Sequence, residues 1–129
     1  MSSTGPETAL VKKMRDAAKA IYGTRLVVTK YHGSEFGEAG VADLFGVCDS
    51  IMFACEVKAP KNYNGSVERA LNSGPTLKQR LYLKRVAEAG GVASVAATVE
   101  QFLETLQCCV DREIGWHDFR AEPRGVLDL

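Results

Sequence analysis

Long apolar runs are what this sequence most clearly lacks. No stretch of its 129 residues approaches the ~20 apolar positions a membrane helix needs. The opening MSSTGPETAL has neither the basic patch nor the apolar core of a secretory signal. Metal-knuckle and disulfide signatures are missing too, because Cys48, Cys55, Cys108, Cys109, His32 and His117 form no CxxC pair and no zinc-finger spacing. No P-loop or GxGxxG follows a strand pattern and opens a helix; Gly33, Gly37 and Gly40 lead into a hairpin pattern instead. The expectation is a cytoplasmic protein with no membrane attachment and no small-molecule cofactor. Its cysteines should be reduced, with Cys55 and Cys108 acting as small hydrophobes in apolar patterns.

What is present suffices for one packed core. Hydrophobic residues make up 46% of the chain and charged residues 25%, at a length close to the ~100–150 residues typical of a domain. Sixteen basic side chains balance sixteen acidic ones, but unevenly. Residues 58–85 hold seven basic groups (Lys58, Lys61, Arg69, Lys78, Arg80, Lys84, Arg85) against one acidic, whereas 86–129 hold three against eight. A basic stretch on a neutral protein suits a polyanion, although a solvated helix face explains the same charges.

Spacing gives the element order. Thr4 and Glu7 have capping-box spacing, and Leu10, Val11, Met14, Ala18 and Ile21 follow at helical intervals, predicting a helix that Gly23 closes. Residues 25–32 read as a strand; 42–47 and 51–58 read as a hairpin around Cys48, Asp49 and Ser50. A long polar loop, with a helical turn near 67–71, occupies 59–75. Thr76 and Gln79 cap a helix, 92–97 form a buried strand, and Thr98 with Gln101 caps the last helix. After Asp111 the pattern is lost, with Trp116 and Phe119 as pins for the tail. The division expected is a domain over 1–110 and a tail over 111–129 that packs on it or extends from it. A three-strand meander followed by a helical crossover predicts an α/β fold, a mixed central sheet flanked by helices.

One cluster stands out chemically. Asp43, Glu56 and Lys58 sit in apolar runs (VADLF, FACEVKAP), where charges are expensive to bury unless paired or metal-bound. Pairing Val47 with Met52 puts Asp43 opposite Glu56; pairing Val47 with Ile51 would turn it away. The first register is expected, with a four-residue loop or a bulge. Glu56 and Lys58 then leave one face of the same strand. Glu7 projects along the packed side of the first helix, either as a capping acid or as a further carboxylate of the cluster.

GVADLFGV, FACEVKAP, TLKQ at a helix start and AGGVASVAATVEQF together resemble the PD-(D/E)XK nuclease superfamily, over roughly residues 7–106. The VRR-NUC domain and the archaeal-type Holliday junction resolvases are the most similar members. The resemblance implies a restriction-endonuclease-like αβββαβ core. It also implies a metal-dependent endonuclease for DNA, above all Holliday junctions and other branched or flapped forms, working as a homodimer and typical of a bacteriophage or its bacterial host. Asp43 matches the motif aspartate, Glu56 and Lys58 the acid and lysine of E-x-K, Glu7 the first-helix acid and Gln79 the following glutamine. Ala42 stands where many members have proline, a position that ligates nothing.

These residue types suit the chemistry. Mg²⁺, with Mn²⁺ as a substitute, takes oxygen ligands such as Asp43, Glu56, the Val57 carbonyl and, directly or through water, Glu7. Lys58 would orient or help deprotonate the attacking water. Lys61, Arg69, Lys78, Arg80 and Lys84 would meet the DNA backbone, giving salt-dependent, sequence-independent binding. Lys30, His32 and Ser34 are peripheral to this set. Two other readings remain: a nuclease-like fold that binds DNA or assembles without turnover, and a small-molecule enzyme, which the missing phosphate loop disfavours.

Overall fold

The computed structural model describes residues 5–31, 40–120 and 125–126. Helix α1 (Pro6–Tyr22) opens with proline at its first position, where the missing N–H is no loss, and buries Val11, Met14, Ala18 and Tyr22. Its N-cap is Gly5, without a side-chain bond. The helix begins one residue later than the Thr4–Glu7 spacing implies, and Thr4 itself lies outside the described residues.

Strands β1 (Leu26–Lys30), β2 (Leu44–Cys48) and β3 (Ile51–Val57) form the antiparallel meander. Val47 pairs with Met52, the register expected from the charges. The turn is tighter than expected, however: Cys48 pairs with Ile51, leaving only Asp49 and Ser50 between the strands. Both turn residues have positive φ, 52° and 76°, the backbone of a type I′ turn whose twist matches that of the strands. Arg25 and Arg112 hold Asp49 from either side, at 3.2 and 3.1 Å. Gly46 permits the β1–β2 contact, since a Cβ there would lie 1.8 Å from the Val27 carbonyl oxygen.

Beyond β3 the expected loop contains more order than its composition suggests: a 3-10 turn (Pro60–Tyr63) and helix α2 (Val67–Ser73), capped by Ser66. Helix α3 (Leu77–Glu88) starts with the expected reciprocal box between Thr76 and Gln79. Strand β4 (Val92–Ala96) is buried throughout and lies parallel to β3, as a helical crossover dictates. At helix α4 (Val99–Val110) Thr98 caps as expected, but the Gln101 side chain accepts the Ala97 N–H instead of closing a second reciprocal box.

The stretch after Asp111 is not patternless. Strand β5 (Gly115–Asp118) pairs parallel to β4, and β6 (Gly125–Val126) pairs with β5, so the mixed sheet has the order β1-β2-β3-β4-β5-β6. Four residues are too few for an alternation to stand out in sequence. One core lies under α1 and α4, built on Met14, Leu44, Phe53, Cys55 and Phe102. The other lies under α2 and α3, built on Ala54, Leu71, Leu83, Ala93 and Trp116. Burial on both faces explains the apolar runs around the charged cluster.

Candidate active site

The N-termini of α1 and α3, on opposite faces of the sheet, both reach the end where β2 begins and β3 ends. Tyr31 donates its N–H to the Asp43 carbonyl at 2.9 Å, extending the β1–β2 ladder past Leu44. The Asp43 side chain turns onto the neighbouring strand, where its Oδ2 accepts the Val57 N–H at 2.9 Å. Glu56, one residue earlier, leaves the face covered by α3, as Ala54 does. Gln79, in the first turn of α3, donates from Nε2 to Glu56 Oε2 at 2.8 Å. Its Oε1 meanwhile accepts the Thr76 N–H, also at 2.8 Å. One side chain caps the helix and holds the carboxylate.

The structure therefore brings Glu7, Asp43, Glu56, Lys58 and Gln79 together. Asp43 lies within hydrogen-bonding reach of both Glu7 and Glu56. Glu56 is 4% exposed, and burial first, then the Asp43 charge and contact, push its carboxyl up to about 9, against the pull of Lys58. Glu7 is exposed as a residue, yet desolvation of its carboxyl and then Asp43 raise it to about 7, with Lys58 and Lys30 opposing. Lys30 thus acts on the cluster and is less peripheral than its position suggested. His32 and Ser34 lie outside the described residues.

Asp43 sits between Glu7 and Glu56, but the three carboxylates do not all converge on one point. Glu56 Oε1 is buried and has no hydrogen-bond partner among the described residues. Burial and the neighbouring Asp43 charge both disfavour the ionised forms of Glu7 and Glu56; a divalent cation would satisfy Oε1 and relieve the Asp43–Glu56 repulsion. Asp43 and Glu56 are the residues able to hold it, with Glu7 close by. Val57 enters through its N–H to Asp43.

The basic residues separate. Lys78 lies in the same first turn as Gln79 and packs against Gly40, where a Cβ would come within 2.6 Å of the Lys78 backbone. Lys61 is exposed and lines a hollow with Pro6, Leu10, Lys13 and Ala97, next to the start of α1. Lys84 pairs with Glu88 at 3.9 Å, further along α3. Arg80 lines a different hollow with Trp116, Asp118 and Arg120, which includes none of Glu7, Asp43 and Glu56. Arg69 is exposed on α2. Between α1 and β1, Lys12, Arg15, Lys19 and Lys30 line one hollow together with Asp16, which pairs with Lys12 at 2.8 Å.

No protein-family model matches the chain, and neither the curated proteins nor the solved structures contain a match. Among the described residues, no helix is long and apolar enough to cross a membrane.

Proposed function

We propose that the chain is a metal-dependent endodeoxyribonuclease of PD-(D/E)XK type, with a restriction-endonuclease-like core, acting on branched or flapped DNA as a homodimer. The observation that carries this reading is Glu56: buried, gripped by Gln79 through one oxygen, unpartnered at the other and pressed against Asp43. The element order α1, β1, β2, β3, α2, α3, β4, with the short α2 inserted before the crossover helix, and the matching register support it.

Mg²⁺ held by Asp43 and Glu56, with the Val57 carbonyl and Glu7 near it, would supply charge stabilisation on the phosphate and acidify a water. Lys58, on the Glu56 face of the strand end, would orient that water or receive its proton and would offset negative charge on the phosphate. Attack at phosphorus forms one P–O bond as the bond to the departing sugar oxygen breaks, and that oxygen takes up a proton. Gln79 fixes the rotamer of Glu56, and Lys78 approaches the backbone beside the positive end of α3. Glu7 would bond a water of the cation's shell. Cytoplasmic activity in a bacterium, encoded by a bacteriophage, is the setting this reading fits.

The test incubates the protein and its Asp43→Ala and Lys58→Ala variants with labelled four-way junction, flap and linear duplex DNA, each with Mg²⁺, Mn²⁺ or EDTA. Metal-dependent cutting lost in both variants is expected, with a branched substrate preferred. Salt-sensitive binding without cutting of any substrate would overturn turnover in favour of a DNA-binding module.

A further inference from the structure

We infer that Cys108, Glu113 and His117 form a separate site for a zinc-like transition-metal cation, built where α4 ends and β5 begins. One ligand atom from each of the three lies within 4.8 Å of the others. The spacing is Cys-x4-Glu-x3-His, which contains no paired-cysteine or paired-histidine signature, so a search for zinc-knuckle spacings passes over it.

The backbone explains the convergence. Helix α4 stops at Val110, and Arg112 takes a positive φ of 59°, turning the chain back on itself. The Glu113 N–H then donates to the Cys108 carbonyl at 2.8 Å, and the Arg112 N–H to the Cys109 carbonyl at 3.1 Å. Arg112 also donates from Nη1 to the Cys109 carbonyl at 2.9 Å and to Asp49 at 3.1 Å, which ties the turn to the β2–β3 hairpin. Beyond the turn, β5 pairs His117 with Ser94 and, through β4, aligns it with Cys55 and Leu44 on the side of the sheet that α4 covers. The imidazole is thereby delivered to the end of the helix that carries Cys108.

The second observation is the state of the histidine ring. His117 is 3% exposed, and its Nε2 lies 2.5 Å from the Glu113 backbone carbonyl oxygen. A carbonyl only accepts, so Nε2 carries the proton in that contact. Nδ1 is buried and has no hydrogen-bond partner among the described residues. A neutral ring with Nε2 protonated presents a bare lone pair at Nδ1, in a place where leaving it unmatched is costly. Metal-ligating histidines are held in this way, one ring nitrogen donating to a carbonyl and the other facing the ion.

The donor set selects the ion. Thiolate, imidazole and carboxylate together suit Zn²⁺ and its Co²⁺ surrogate, whereas Mg²⁺ prefers oxygen alone. Tetrahedral zinc places its ligand atoms about 3.5 Å apart, so a shift of about 1 Å closes the set. Cys108 is 1% exposed and Glu113 is exposed, which gives the ion a route in from solvent and leaves a fourth position for water. The site shares no residue with the Glu7–Asp43–Glu56 cluster. Its role follows from its position: it would fasten β5 and the segment after it onto α4.

The test titrates the full chain, stripped with EDTA, with Co²⁺ and then Zn²⁺. One equivalent of Co²⁺ should give a thiolate-to-cobalt charge-transfer band, which the carboxylate cluster cannot produce, and Zn²⁺ should bleach it. The band should persist in Asp43→Ala and disappear in Cys108→Ser and His117→Gln. Glu113→Gln, at an exposed position that does not endanger folding, should weaken binding by at least about tenfold. In the Asp43→Ala background, which removes the carboxylate cluster as a competing cation site, Zn²⁺ should raise the melting temperature, and adding Cys108→Ser should abolish that rise. No thiolate band, a band that survives Cys108→Ser, or unchanged affinity in Glu113→Gln would each overturn the site.

Discussion

Gln79 and Glu56 are joined side chain to side chain at 2.8 Å across the gap between α3 and the end of β3. Because Gln79 also closes the capping box with Thr76, two variants separate its duties. Thr76→Ala and Gln79→Ala should each cost about 1 kcal/mol of helix-cap stability, measurable by denaturant titration. Only Gln79→Ala releases Glu56, so only it should lose cleavage rate and Mg²⁺ affinity as well. Equal activity in the two variants would remove Gln79 from the site.

The carboxyl cluster fixes a direction for stability against pH. Glu7 near 7 and Glu56 near 9 both stand above the ordinary 4.5, so the metal-free folded protein keeps protons that the unfolded chain gives up. The stability these groups contribute is complete below about pH 4.5 and falls as pH rises, first through the Glu7 value and then toward the Glu56 value. In EDTA the melting temperature should therefore decline from about pH 5.5 to about 8.5, and Glu56→Gln should flatten the decline. Mg²⁺ competes with those protons, so its stabilising effect should grow with pH. A melting temperature that rises across this range in EDTA would contradict the geometry.

How much of this was legible in the sequence depends on how local each signal is. Asp43 and Glu56 announced their register because a charge in an apolar run has few tolerable places, and Val47 does pair with Met52. The two-residue turn beneath them was not legible, since Asp49-Ser50 lacks the glycine that usually marks a type I′ hairpin. Thr76 and Gln79 showed their capping box, but the reach of Gln79 to Glu56 spans 23 residues and exists only in three dimensions. Strand β5 depends on parallel pairing with β4, which no local alternation reports. Likewise, Glu113 looked like one more acid in an acidic tail until the Arg112 turn set it beside Cys108 and His117.

The hairpin turn yields a prediction free of any functional assumption. Ser50 is exposed with φ 76°, a left-handed conformation unfavourable for a residue with a Cβ. Ser50→Gly should stabilise the fold by up to about 1 kcal/mol, read as a rise of a few degrees in melting temperature. Asp49→Ala should act oppositely, because it removes the partner of Arg25 and Arg112 while keeping the positive φ. A destabilised Ser50→Gly would mean that the turn is held by something other than its backbone preference.

Lys13 and Lys61 face one hollow beside the start of α1, one from the helix and one from the 3-10 turn three residues after Lys58. Both are exposed. If DNA enters the site, its backbone passes these ammonium groups next to the scissile phosphate. The Lys13→Ala/Lys61→Ala variant should then bind a flap or junction more weakly at moderate salt. The slope of log affinity against log salt should shrink by about 0.9 for each lost phosphate contact, so by about 2 if both lysines reach the strand. The single-turnover cutting rate at saturating DNA should change little, because neither lysine belongs to the carboxylate cluster. Lys84→Ala is the control, since that ammonium already lies 3.9 Å from Glu88 and should contribute less to the slope. An unchanged slope in the double variant, with a reduced slope in Lys84→Ala, would move the DNA path from the α1 side of the site to the outer face of α3.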